Sequence, residues 1–297
     1  MKKKKTNNNV TVGRKNISKG RDIWNRFKRN KNAVIGMIIT LIFVFIAVFA
    51  PMLVDYEEDV IKIDIPNRLQ LPSSEHILGT DEAGRDILAR LIYASRMSLA
   101  IGVMAVSCSI GAGIILGSIA GYFGGKVETV IMRICDVFDG VPSFLLALTI
   151  TAAFGASVVT LMLAIGIGGF AGQSRIVRGA VLTVKGQEYV EAARAMGARN
   201  WQIILHHILP NCMAVIIVQF SVKIAEGILT ASSLSFLGLG VLPPDPEWGA
   251  MLAGGRDYLL DNPYLTLFPG LCIMIVILAF NMLGDGLRDS LDPRLKR

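Results

Sequence analysis

The sequence predicts an all-α membrane protein with about six transmembrane helices. Of its 297 residues, 53% are hydrophobic and only 18% are charged, and the mean hydropathy is +0.54. These values are too apolar for an ordinary soluble domain. Long uncharged runs recur along the chain, and one strongly patterned polar segment, residues 187–211, lies between two of them. Both observations indicate a polytopic protein with a structured loop.

The net charge of +7 is concentrated at the amino terminus. Residues 1–31 contain twelve Lys or Arg and the single acid Asp22, a net +11, which leaves −4 for the rest of the chain. We therefore expect residues 1–32 to form a basic cytoplasmic tail beside anionic membrane lipid, disordered up to an amphipathic piece around Trp24 and Phe27. The basic residues are not accompanied by a nucleic-acid recognition motif, so we do not expect this protein to bind nucleic acid.

Residues 33–297 are predicted to form one transmembrane domain. Residues 33–50 carry no charge, and eighteen helical residues rise about 27 Å, close to the hydrocarbon thickness. A basic flank and a weak cleavage-site pattern at Val48 and Ala50 also fit a cleaved signal peptide. The length of the flank and the spans that follow favour a retained helix.

The loops alternate in charge, which predicts on which side of the membrane each loop lies. Residues 52–96 contain nine Asp or Glu against five Lys or Arg, so the loop 51–96 is expected outside, and the loop 233–263 with it. Residues 175–211 hold five Lys or Arg and are expected in the cytoplasm with both termini. The second predicted span is 97–125. The third ends at a break at residues 155–157, and the fourth begins after that break. The fifth and sixth predicted spans are 212–232 and 264–284.

Several spans carry glycines or charges. Gly113, Gly117 and Gly121 recur every four residues, which predicts close packing against another helix. The third span contains Arg133, Asp136 and Asp139, with Pro142 as its expected kink, and the fifth contains Lys223 and Glu226. Charges at that depth should face protein or water. We take Arg133, Asp136, Lys223 and Glu226 as a candidate translocation path; a purely internal Lys223–Glu226 ion pair is the alternative.

The segment 187–211 is predicted to be a helix, a glycine turn and a second helix. One apolar face of the first helix is formed by Tyr189, Ala192, Ala193 and Met196. Gly197 suits the left-handed conformation that ends a helix, Asn200 is the expected N-cap of the second helix, and Pro210 is expected to stop it. A helical loop folded onto its own bundle would show the same pattern.

Six residues of this segment resemble the EAA loop of ABC-importer permeases. They are Glu191, Ala192, Ala193, Gly197, Leu209 and Pro210. The resemblance implies a type I ABC-importer permease fold in which this cytoplasmic coupling helix seats in a groove of the ATPase. His207 departs from the isoleucine that the family favours, whereas the peptide-transporter branch has a similar His-Ile-Leu-Pro-Asn ending.

Two further blocks resemble the dipeptide and oligopeptide permeases. The first comprises Leu78, Gly79, Thr80, Asp81, Gly84, Arg85, Asp86, Arg90, Arg96, Ser98 and Leu99, and contains a helix start that Asp81 or Asp86 can cap. The second comprises Ser235, Phe236, Leu237, Gly238, Leu239, Gly240, Pro243, Pro244, Pro246, Trp248 and Gly249. The first block is either a structural lid or a surface for a solute-binding protein. The family commonly has an acid near Ala231, which this chain lacks.

No catalytic or metal-binding constellation is predicted. The one Gly-Lys pair, Gly125–Lys126, is followed by Val127 and does not form a Walker A loop. ATP is therefore expected on a partner ATPase, and no cofactor on this chain. His206 and His207 are adjacent and point about 100° apart on a helix, so they are a poor metal pair. The four cysteines lack CxxC spacing, which indicates packing roles.

The resemblance implies the C-type subunit of a permease pair that imports di- or oligopeptides. Its implied partners are a second, non-identical permease, two ATP-binding cassette ATPases and an extracytoplasmic solute-binding protein, at the cytoplasmic membrane. An importer of nickel or a metal chelate is the alternative within transport. A membrane-embedded enzyme or signalling protein is the alternative from another class.

Overall fold

The computed structural model describes residues 19–291. The part of the basic tail predicted to be disordered, residues 1–18, and the basic ending 292–297 lie outside that range. The described chain is helical and contains no β-strand. Its helices are α1 (Lys19–Arg29), α2 (Lys31–Leu53), α3 (Ile87–Phe123), α4 (Gly125–Asp139), α5 (Ser143–Phe154), α6 (Val158–Lys185), α7 (Glu188–Ala195), α8 (Asn200–Phe236), α9 (Trp248–Gly255) and α10 (Tyr264–Leu291).

Five helices, α2, α3, α6, α8 and α10, are long and apolar enough to cross a membrane. The bent pair α4–α5 makes a sixth crossing if it is counted as one span. The predicted all-α class with about six spans is therefore confirmed. The amphipathic piece around Trp24 is helix α1, whose Phe27 is 3% exposed and packs near the end of α10.

The helix α3 packs along α6 through the predicted glycine strip. A β-carbon on Gly117 would lie 2.8 Å from Cβ of Val177 and 3.0 Å from N of Arg178, so only glycine permits this approach. The expected start of this span at residue 97 is wrong. The capped helix and the apolar run form one 37-residue helix, whose start Asp86 caps by accepting from Ala89 N at 2.8 Å.

The expected kink at Pro142 is a full break. Helix α4 ends at Asp139, α5 begins at Ser143, and the two are bent by 78°. Proline removes an amide donor and disfavours helical geometry in the residue before it, so the helix ends and restarts. The predicted break at residues 155–157 is confirmed: Gly155 has a φ of +88°, and Ser157 caps α6 by accepting from Thr160 N.

Three predictions about the helix α8 are wrong. Pro210 does not stop it, and the span does not begin at residue 212, since α8 runs continuously from Asn200. Residues 203–208 form a widened turn before the proline, and such a turn adjusts the backbone around a residue that lacks an amide donor. Asn211 Nδ2 donates to the carbonyl of His207 at 2.7 Å. Arg199, not Asn200, is the N-cap residue.

The bundle has two distinct ends. Helix α1, the segment 187–211 and the end of α10 lie at one end. The loop segments 54–86 and 237–247 meet at the other, where Arg90 donates to the carbonyl of Val60 at 2.7 Å and to that of Pro244 at 3.5 Å. The segments that connect the long helices therefore form two separate surfaces at opposite ends of the bundle.

Candidate functional site

The coupling segment, residues 187–211, is anchored by buried aliphatic side chains and presents others to the surroundings. Val190, Ala193, Ile203 and Ile208 are buried. By contrast Tyr189, Met196, Trp201 and Leu205 are exposed, and Met196 is 82% exposed. The apolar face predicted for the first helix therefore points mostly outward, with only Ala193 of its four members buried. Four exposed apolar side chains therefore lie on one segment, between the end of α6 and the first turns of α8.

The six residues predicted for ATPase coupling all lie on this segment. Glu191, Ala192, Gly197 and Pro210 are exposed, Leu209 is half-buried and Ala193 is buried. Gly197 has a φ of +83°, and a β-carbon there would meet no atom within 4 Å. The glycine is thus required by the backbone conformation and not by lack of space. Its N–H donates to the carbonyl of Arg194 at 3.0 Å, which closes the turn.

Tyr122, which no sequence pattern singled out, attaches the coupling segment to the bundle. Its ring is 5% exposed, and its hydroxyl donates to Oδ1 of Asn200 at 2.8 Å. Lys185 Nζ and Arg194 Cζ lie 5.9 and 5.8 Å from the ring centroid, within cation–π range. The ends of α3, α6 and α7 and the start of α8 therefore meet at one aromatic ring.

The four residues of the candidate translocation path line two different cavities. Lys223 Nζ lies 2.5 Å from Oε2 of Glu226, and both line a cavity of about 300 Å³, here called the polar cavity, among α3, α6, α8 and the α4–α5 break. Arg133 and Asp136, 3.6 Å apart, line a separate and more open groove between α4 and α6. The two pairs do not form one site.

Arg175, which was not among the predicted path residues, links the two regions. Its Nη2 lies 2.8 Å from Oδ1 of Asp136 in the open groove, and its Nη1 lies 2.6 Å from Oδ2 of Asp139, which lines the polar cavity. In the same groove Arg178 pairs with Glu128. These ion pairs join α6 to α4, which borders both the open groove and the polar cavity.

At the opposite end of the bundle, the segment 54–86 folds around a buried carboxylate. Oδ1 of Asp81 accepts from the backbone N–H of Ala83 and of Arg85, and its Oδ2 lies 2.7 Å from Nε of Arg85 and 3.3 Å from Nε of Arg90. Asp86, not Asp81, caps the helix. The block Leu78–Leu99 is thus fixed in shape, which suits either a lid or a docking surface.

A second contact joins this segment to the loop 237–247. The hydroxyl of Tyr56 donates to Oδ1 of Asp245, and that hydrogen bond, together with burial, raises the pKa of Tyr56 to about 12. The phenol therefore keeps its proton over the physiological pH range. Glu247, in the same loop, is fully buried between α3, α8 and α9. The two loops form one platform over this end of the bundle.

Comparison with known proteins shows the family. Residues 113–297 match the family described as binding-protein-dependent transport system inner membrane component. Residues 18–72 match the N-terminal transmembrane domain of oligopeptide transport permease C.

The similar proteins are named as peptide or glutathione permeases. The dipeptide transport system permease protein DppC of Alkalihalophilus pseudofirmus is 45% identical over 280 residues, covering 94% of this chain and 91% of that protein. The glutathione transport system permease protein GsiD of Pectobacterium atrosepticum is 44% identical, covering 93% and 91%. The di/tripeptide transport system permease protein DppC of Pseudomonas aeruginosa is 42% identical, covering 93% and 92%.

Solved structures show the same fold at low identity. An inward-facing form of the MetNI methionine ABC transporter superposes with a TM-score of 0.56 at 16% identity, covering 69% of this chain and 98% of that one. An amino acid ABC transporter crystallised with histidines gives 0.53 at 16% identity, covering 68% and 94%. The chain belongs to the family of binding-protein-dependent transport system inner membrane components, as a multi-pass, C-type permease subunit of an ABC importer.

Proposed function

We propose that this permease imports short peptides. The relatives described above are named for dipeptides, di/tripeptides and glutathione, which is itself a tripeptide. The polar cavity offers charges of both signs, Lys223 and Glu226, beside uncharged polar side chains. Such a lining suits a zwitterionic solute with an ammonium and a carboxylate end. Nickel or a metal chelate is the solute that an uptake assay must distinguish from a peptide.

The energy for import comes from separate ATPases that act through the coupling segment. The single observation that carries this proposal is the exposed apolar surface of Tyr189, Met196, Trp201 and Leu205, held on the bundle through Tyr122. A rigid segment with an outward apolar face can seat in a groove of a partner. Closure of two ATPases would then push α7 and α8, and through them the walls of the polar cavity.

The chain works as one half of a permease pair. It carries one coupling segment, and no internal repeat supplies a second. A second, non-identical permease would complete the path, and two ATP-binding cassette ATPases would bind the two coupling segments. ATP is bound by those ATPases, since this chain has no Walker A loop and no cofactor of its own is proposed.

The membrane orientation follows from the charges. The protein lies in the cytoplasmic membrane. The coupling segment and both termini face the cytoplasm, because Lys and Arg are concentrated in these segments. The platform built from 54–86 and 237–247 faces outward. A solute-binding protein that docks on this platform would deliver the peptide above the polar cavity.

Uptake by intact cells tests the peptide assignment. Cells with and without this chain are given radiolabelled dipeptide, radiolabelled tripeptide or radioactive nickel. We expect deletion to abolish peptide uptake and to leave nickel uptake unchanged. Loss of nickel uptake with peptide uptake intact would overturn the peptide assignment, and complementation by the intact chain controls for effects on neighbouring genes.

A further inference from the structure

The polar cavity contains buried polar side chains that have no partner in the described chain. Gln173 on α6 is 3% exposed and Ser109 on α3 is 7% exposed, and both line the cavity. Neither side chain hydrogen-bonds to another residue of the range 19–291, and the same holds for Thr230 on α8. Three helices therefore each direct an unsatisfied polar group to one space.

Two neighbouring serine hydroxyl groups in these helices are satisfied locally, whereas Ser118 Oγ on α3, away from the cavity, also lacks a partner in the described chain. Ser107 and Ser174, close neighbours of Ser109 and Gln173, donate to the carbonyls of Val103 and Phe170, four residues earlier. Serine normally makes this bond within a membrane helix. Ser109 and Thr230 forgo it, so their hydroxyl groups remain available inside the cavity.

Glycines keep the space beside these groups open. A β-carbon on Gly172 would meet no atom within 4 Å, so the cavity extends to the backbone there. A β-carbon on Gly169 would lie 2.7 Å from Oγ of Ser109 and would cover that hydroxyl. Polar atoms that have no protein partner and that open into a cavity are available to bind a ligand or water there.

We propose that Ser109, Gln173 and Thr230 form a subsite for the peptide bond of the solute. The carboxamide of Gln173 both donates and accepts, so it can bind the C=O and N–H of one amide, and the two hydroxyl groups serve neighbouring polar atoms. Lys223 and Glu226 exchange their mutual ion pair for the terminal carboxylate and ammonium. A volume of about 300 Å³ suits a short peptide. This inference rests on the proposed function and adds the atoms that recognise the solute.

The test compares a dipeptide with its depsipeptide analogue, in which an ester oxygen replaces the amide N–H. The complete transporter, with its binding protein and ATPases, is reconstituted in vesicles, and uptake of both compounds is measured. The same binding protein is used throughout, so its own preference cancels between variants. We expect Gln173→Leu to lower the ratio of dipeptide to depsipeptide transport efficiency about fivefold to tenfold, the effect of one lost hydrogen bond.

The matched control is Gln219→Leu, because Gln219 lies on α8 and does not line the cavity. It should leave the ratio unchanged. Thr230→Val, at a half-buried position, is the second variant. Its hydroxyl serves a polar atom beside the amide, so we expect the substitution to lower dipeptide transport efficiency about threefold and to leave the ratio unchanged, and the test does not depend on the folding of Gln173→Leu. An unchanged ratio in Gln173→Leu, together with an unchanged dipeptide efficiency in Thr230→Val, overturns the subsite alone. Absence of dipeptide import by the unaltered transporter would instead overturn the proposed function.

Discussion

Single residues could be predicted from the sequence where their partners are local. The Lys223–Glu226 pair is three residues apart on one helix, and the backbone of Gly197 is fixed by its own turn. Glu247 could not be predicted in this way. Its Oε1 accepts from the hydroxyl groups of Ser98 and Ser232, each at 3.1 Å, and its Oε2 accepts from Ala250 N at 3.0 Å. Ser98 lies 149 residues away in sequence, so no spacing rule points to it.

We predict that Glu247→Ala destabilises the subunit by about 1–3 kcal/mol, since two buried serine hydroxyl groups and a helix N-terminus lose their acceptor. Glu247→Gln keeps an acceptor oxygen and should cost less. Thermal unfolding of the purified complex measures both. Glu75→Ala, at an exposed glutamate, is the control and should leave the unfolding temperature unchanged. Equal unfolding temperatures for Glu247→Ala and Glu75→Ala would contradict the assigned role.

At the scale of helices, hydropathy predicted the number of spans, and glycine spacing predicted a close contact with another helix, which the structure identifies as α6. The proline rule, by contrast, held at one position and failed at another. Pro142 follows Gly140 and Val141 and separates α4 from α5 by a 78° bend. Pro210 follows the widened turn 203–208 and stays inside α8, because that turn adjusts the backbone ahead of the proline. The structure around a proline decides whether the helix breaks or continues, and the residues next to the proline in sequence do not reveal that structure.

The α3–α6 contact gives a prediction for a single methyl group. Gly117→Ala places a β-carbon 2.8 Å from Cβ of Val177, so we expect the helices to separate and stability to fall by about 1–3 kcal/mol. Gly111→Ala lies on the same helix with no atom within 4 Å and should not destabilise. The amount of assembled complex and its unfolding temperature provide the measurement. A stable Gly117→Ala variant would show that the contact is looser than described.

For the whole molecule, charge alone predicted which segments share an end, and the structure groups them in that way. Helix α1, the coupling segment and the end of α10 lie together, opposite the platform of 54–86 and 237–247. The arrangement of the candidate path was not predictable. Arg133 and Asp136 line the open groove, whereas Lys223 and Glu226 line the polar cavity. This division depends on how α4 and α6 pack.

Cysteine labelling tests the proposed orientation. In a background lacking Cys108, Cys135, Cys212 and Cys272, we expect Glu75→Cys to react with an impermeant thiol reagent in intact cells and Gln187→Cys to react only after the membrane is opened. Both positions are exposed, so a difference reports their side and not their burial. Strong labelling of Gln187→Cys in intact cells would reverse the assignment of cytoplasmic and external ends.

The coupling of ATP hydrolysis to transport through the segment 187–211 is the central claim, and substitution at Gly197 tests it most directly. Gly197→Val forces a β-branched residue into a φ of +83°, whereas Gly186→Val, 11 residues earlier at a φ of −87°, has space and an allowed backbone.

In the reconstituted transporter, we expect Gly197→Val to reduce peptide uptake and solute-stimulated ATP hydrolysis together, at least tenfold, with assembly intact. Gly197→Asn should retain more activity, because asparagine tolerates the left-handed conformation. Gly186→Val should stay near the activity of the unaltered chain. Normal stimulation of hydrolysis by solute in an assembled Gly197→Val transporter would contradict the account.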